Sequence, residues 1–154
     1  MINVMDQKVL LITPPGAIVD NASLTTTSID TKGWDWLTVL VILGATDIAM
    51  AALKLQTSDT DGSYADLTGA VFGTSTLADG STSALPAASG ATGDNTIHAI
   101  QVNLKGKKRW FDLVATGGDG TAGAYIMAIA ILSRGETSPS TAAGRGFAQE
   151  LVVG

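Results

Sequence analysis

The sequence contains no cysteine, which excludes disulfides and thiolate metal ligation and leaves the redox compartment open. Histidine occurs once, at His98. A zinc site needs several His, Cys or carboxylate ligands, so one His without any Cys gives it little footing. The same scarcity, with no Gly-x-Ser-x-Gly elbow, leaves nucleophilic catalysis without support. No Walker motif is present, and no Gly-x-Gly-x-x-Gly links a strand to a helix, so nucleotide binding is unsupported too. We expect no catalytic residue, no cofactor and no metal.

Charge is also scarce. Asp, Glu, Lys and Arg make up 15% of the chain, against roughly 25% in typical soluble domains. Ala, Gly, Ser and Thr take their place, and a surface so short of charge is poorly defended against association. Positive charge is the scarcer sign, with nine basic against fourteen acidic residues and a net charge of −5. That argues against nucleic acid, whose phosphates need a basic footprint. Glutamate is nearly absent, with twelve Asp to two Glu. Asp bonds its own backbone in loops whereas Glu favours helices, so the acidic residues point to turns. One apolar window, residues 36–55, approaches a membrane span in length. Asp47 near its centre, beside Gly44, would be costly in lipid, so a strand, a turn and a second element are expected there instead. The N-terminus has no basic segment followed by a long apolar run, and no targeting signal is read from it.

What is present is β pattern. The 154 residues suit one domain, large enough to bury about 68–70% of its extended surface. Runs rich in β-branched residues and bounded by turn residues predict strands at 9–13, 23–30, 36–43, 53–57, 96–104, 109–116 and 124–132. Asp47 is expected to cap at most one helical turn before the strand at 53. Residues 77–95 read as a long loop of Ala, Ser, Gly, Thr and Asp, uncommon in a compact domain unless functional or held down. About eight short strands imply a sandwich or barrel; uneven spacing favours an all-β, jelly-roll-like antiparallel sandwich. The sandwich is expected over residues 1–134, with an extended C-terminal arm over 135–154.

Two strands lack a polar face. Trp36, Thr38, Leu40 and Ile42 alternate with Leu37, Val39, Val41 and Leu43. Tyr125, Met127, Ile129 and Ile131 alternate with Ile126, Ala128, Ala130 and Leu132. The outer face of a sandwich sheet should be wet. Either the 77–95 loop covers these strands or another subunit does. The arm ends in an apolar tip, Phe147-Ala148-Gln149-Glu150-Leu151-Val152-Val153, which implies docking on its own domain or on a neighbour.

Other features have local explanations. His98 shares a strand face with Ile100 and Val102, as a partly buried structural histidine would. Asp59-Thr60-Asp61-Gly62-Ser63 resembles a calcium loop, but Tyr64 stands where an EF-hand needs Gly, and Asp-Gly is also a hairpin signal. Lys105-Gly106-Lys107-Lys108-Arg109-Trp110 is the one basic cluster, either a solvated turn or an electrostatic contact for an acidic partner.

Two stretches carry a family resemblance. Residues 53–67, Leu-Lys-Leu-Gln-Thr-Ser-Asp-Thr-Asp-Gly-Ser-Tyr-Ala-Asp-Leu, resemble a strand–turn–strand of phage virion and carbohydrate-binding sandwich modules. Residues 107–134, with Trp34-Asp35-Trp36-Leu37-Thr38-Val39 and Gly44-Ala45-Thr46-Asp47, are similar to small head-associated proteins of tailed phages and prophages. Those families include cement, or decoration, proteins that often form trimers at local threefold positions of the shell. The resemblance implies a virion protein without enzymatic activity that binds the capsid exterior, after assembly in the host cytoplasm. Its implied partners are the major capsid protein and itself, as a homotrimer, with neither nucleic acid nor membrane. Trp36, Lys107, Lys108, Arg109, Trp110, Phe147 and Leu151 are the interface candidates. A carbohydrate-binding module displayed on a virion is the alternative, with Trp34 and Trp36 as its aromatic platform.

Overall fold

The structure, a computed structural model, describes residues 6–13, 16, 18–24, 26–88 and 93–151. Among them are eight strands and no helix: β1 (Gln7–Thr13), β2 (Ile29–Asp30), β3 (Trp34–Thr46), β4 (Ala52–Ser58), β5 (Ala65–Val71), β6 (Thr96–Asn103), β7 (Trp110–Thr116) and β8 (Ala124–Gly135). They form two four-stranded antiparallel sheets packed as a sandwich, sheet A in the order β1-β8-β3-β6 and sheet B in the order β2-β7-β4-β5. First pairs with last, second with seventh, third with sixth and fourth with fifth, as if one long hairpin had been rolled over itself.

The core follows from period-two alternation. Leu37, Val39, Val41 and Leu43 of β3, with Ala128, Ala130 and Leu132 of β8, point inward from sheet A. Leu53 and Leu55 of β4, with Phe111, Leu113 and Ala115 of β7, meet them from sheet B. Phe111 is the largest side chain fully removed from water.

Three local expectations need correction. Among the described residues of the run at 23–30, a ladder forms at Ile29–Asp30, with an isolated bridge from Ser23 to Thr116. The Thr26 hydroxyl instead donates to the Leu113 carbonyl and the Asp112 carboxylate, the side-chain competition that makes Thr-rich runs poor predictors of a ladder. Asp47 caps no helix. Its carboxylate accepts the backbone N–H groups of Thr121, Ala122 and Gly123 from the β7–β8 connection, 74 to 76 residues away. Finally, Ala65–Val71, poor in β-branched residues and interrupted by Gly69, still forms a strand because it pairs with β4.

The β5–β6 connection is anchored where it is described. Pro86 is fully buried and its carbonyl accepts from the Met50 N–H. The Thr46 hydroxyl donates to the carbonyls of Ala87 and Ala88. These contacts hold the loop to one end of the sandwich; residues 89–92 lie outside the described residues.

Candidate interaction surfaces

The two outer faces of the sandwich differ in chemistry. On sheet B, Lys54 and Gln56 both bond Asp66, and Asp112 accepts from Thr26. The Lys54 ammonium, with Gln56 beside it, holds the Asp66 carboxyl below its ordinary range. This face is an ordinary wet one. On sheet A the register sets Leu11, Ile129, Leu40 and Ala99 in one row across all four strands. Met127, Ile42 and Ile97 form the next row. Leu11 is 53% exposed, Tyr125 49% and Ile97 66%. No charged side chain stands among Trp36, Thr38, Leu40, Ile42, Tyr125, Met127, Ile129 and Ile131. Apolar faces of β3 and β8 that were read separately are thus neighbours, and β1 and β6 extend them.

The size of this face can be gauged. Four strands about 4.8 Å apart, over about eight positions at about 3.4 Å each, make a face on the order of 500 Å² in projection, with polar Gln7, Thr38, Gln101, Asn103 and Ser133 at one end and the apolar rows at the other. The hydrogen bonds of the 77–95 loop among the described residues go to Gly44, Thr46, Met50, Gly73 and Ser75, and Thr82 bridges Thr76.

The sequence-predicted interface residues fall in two places. Trp36 pairs with Asn103 and Ser133, so it sits at the end of sheet A that also carries the β6–β7 turn. In that turn Arg109 is already engaged. Its Nε donates to Asp30 Oδ1 at 2.7 Å and its Nη2 to Oδ2 at 2.6 Å, while its guanidinium lies 4.8 Å over the Trp110 ring. The Arg109 bond pulls the Asp30 carboxyl below its usual range. Lys108 lies 3.7 Å from Asp59 with both side chains exposed, a pair of little energetic weight. Lys107 is exposed and forms no ion pair among the described residues.

Phe147 and Leu151 lie on the arm, which follows β1. The Val9 N–H donates to the Arg145 carbonyl at 2.8 Å. Arg145 is only 5% exposed; its guanidinium donates to Glu150 and, at 2.7 Å, to the Pro139 carbonyl. Gly146 has a φ of +89°, and a Cβ there would collide with the Val9 carbonyl oxygen. Up to Glu150, then, the arm docks on its own subunit. Phe147 is half-buried in it, while Leu151 is 95% exposed; Val152 and Val153 lie outside the described residues. The Arg145–Glu150 staple was not legible beforehand, although the second of only two glutamates following an Arg in Gly-Arg-Gly was an available signal.

The remaining chemistry-bearing groups have structural partners. His98 lies edge-on to Phe72 at 5.6 Å and is 3.0 Å from the Thr96 hydroxyl; burial lowers its pKa. Tyr64 donates to Asp61. Trp34 and Trp36 are both half-buried, and Trp34 lies against Gly135. No three His, Asp or Glu side chains converge among the described residues, and no helix there is long and apolar enough to cross a membrane. A scan against protein-family models and a search of curated proteins return no match to this chain.

Proposed function

We propose that this protein is a structural virion subunit that binds the outside of a tailed-phage capsid and stabilises it, assembling with itself as a homotrimer. The observation that supports this reading most is the contrast between the two sheets: a polar outer face on sheet B and an uncharged, apolar one on sheet A. A cement subunit needs a self-complementary apolar face and contacts to the shell, and it needs no reaction centre. Several contacts of ordinary size per assembly would then bind through avidity. The end of the sandwich carrying Trp36, Lys107 and Lys108, together with Leu151 beyond the docked arm, supplies candidate contacts to the major capsid protein.

The test is cosedimentation of the purified protein with expanded capsids lacking it, together with its mass in solution. Saturable binding and a threefold mass are expected. Replacing Leu40 and Ile129 together by Lys should abolish self-association and lower capsid affinity. Replacing Lys107 and Lys108 by Gln should slow association and flatten its salt dependence. A monomer at all concentrations that ignores capsids would refute the reading.

A further inference from the structure

Three aspartates in this chain directly precede a glycine: Asp61-Gly62, Asp79-Gly80 and Asp119-Gly120. Glycine sets no side chain beside its own nitrogen, so that nitrogen can attack the preceding side-chain carboxyl with little hindrance. The attack is intramolecular, and its rate depends on how freely the two groups can align. The fold treats the three pairs differently. Asp79-Gly80 is tied at both reacting groups. The Gly80 N–H donates to the Leu77 carbonyl at 2.9 Å, and Asp79 Oδ1 accepts the Ser81 N–H at 2.9 Å and hydroxyl at 2.6 Å. A bridge between Thr76 and Thr82 closes this turn. Asp119-Gly120 is tied at its nitrogen, which donates to Asp20 Oδ1 at 3.0 Å, and Gly120 packs against the Asp47 carboxylate.

Asp61-Gly62 is held least. It stands in the β4–β5 turn, where residues 59–63 are all exposed. Among the described residues no backbone carbonyl or carboxylate accepts the Gly62 N–H, and a Cβ on Gly62 would meet nothing within 4 Å. The bond across the turn, from the Ser63 N–H to the Thr60 carbonyl, is long at 3.4 Å. What restrains the pair is Tyr64. Its hydroxyl donates to Asp61 Oδ1 at 2.5 Å, and its oxygen also lies toward the Gly62 N–H.

We propose that Asp61-Gly62 is the site at which this protein isomerises spontaneously to isoaspartate, with Tyr64 as its guard. The Gly62 nitrogen bonds to the Asp61 side-chain carboxyl carbon. The nitrogen's proton and the carboxyl hydroxyl leave as water, which closes a succinimide ring. Water then opens that ring at either carbonyl. One opening restores aspartate; the other routes the main chain through the side-chain carbon and lengthens it by a methylene. Mass is unchanged overall, and water is the sole co-reactant. The altered turn adjoins Lys108, which lies 3.7 Å from Asp59. The inference goes beyond capsid binding and does not depend on it.

The experiment holds the intact protein at neutral pH for several weeks, in buffer and, in parallel, in urea that unfolds it. Proteolytic peptides are then separated. Isoaspartate is scored by a retention shift at unchanged mass and by methylation with an isoaspartyl methyltransferase. In buffer, isoaspartate at 61 should exceed that at 79 or 119 by about tenfold or more. In urea the tethers are gone, and the three sites should agree within about threefold. Tyr64→Phe removes the guarding hydroxyl and should raise the rate at 61 by about threefold or more, with 79, 119 and circular dichroism unchanged. Isoaspartate at 79 or 119 matching that at 61 in buffer, or a preference for 61 that survives unchanged in urea, would overturn the proposal. So would a folded protein that forms none at 61 while the unfolded chain does. A Tyr64→Phe rate equal to the original would remove Tyr64 as the guard.

Discussion

Replacing Glu150 by Ala tests where the arm belongs. Arg145 and Glu150 expose only 7% and 11% of their side chains, and the remaining partner of the guanidinium is the Pro139 carbonyl. Removing one member of a buried ion pair typically costs about 3–5 kcal/mol, because the other charge is left without compensation. Here the loss is capped by the free energy holding the arm to β1, since beyond that point the arm releases and Arg145 regains water. An effect of about 2–3 kcal/mol is therefore expected, a fall in Tm of roughly 4–12 °C for a chain of this size. The same variant should expose the segment after Ser138 to limited proteolysis. The double variant Arg145→Met, Glu150→Leu replaces the pair by apolar groups and should stay within about 1 kcal/mol of the unmodified protein, or exceed it. Thermal and urea unfolding read all three. A Glu150→Ala protein melting within about 1 °C of the original, with unchanged proteolysis, would refute home docking. A double variant as weak as the single one would refute the buried-charge explanation.

Asp47 should give acid sensitivity. Three backbone N–H bonds, that from Ala122 foremost, hold its carboxyl below the ordinary value of about 3.9. Its contribution is therefore complete above that value and is lost as pH falls through the lower, folded-state one. Asp47→Asn should remove this part of the acid limb of a stability–pH curve, and an unchanged limb would count against the clamp. Phe111→Ala should cost about 3–5 kcal/mol, a Tm loss of roughly 6–20 °C in differential scanning calorimetry; a loss below 3 °C would mean that the two sheets are less tightly packed than described.

Much of this molecule is determined by local sequence. β-branched runs between turn residues yield the β class, and alternation in 36–43 and 124–132 sorts each strand into two faces, but with both apolar only the fold decides that Leu37, Val39, Val41, Ala128 and Leu132 are core. The missing polar face of both strands is equally local, since side-chain direction along a strand depends only on the parity of the position. What local pattern cannot contain is who lies beside whom. That β3 and β8, some ninety residues apart, are neighbours, so that two apolar strips become one face, follows from the closure of the whole hairpin. Tertiary structure alone likewise turned Asp47 from a helix cap into a clamp on Thr121 to Gly123, tied Arg109 to Asp30, and laid Arg145 against Val9. It also placed β6, whose residues resemble any half-buried strand, at the edge of sheet A. In each case the deciding interaction joins residues far apart in sequence, and its existence depends on every other strand having found its place.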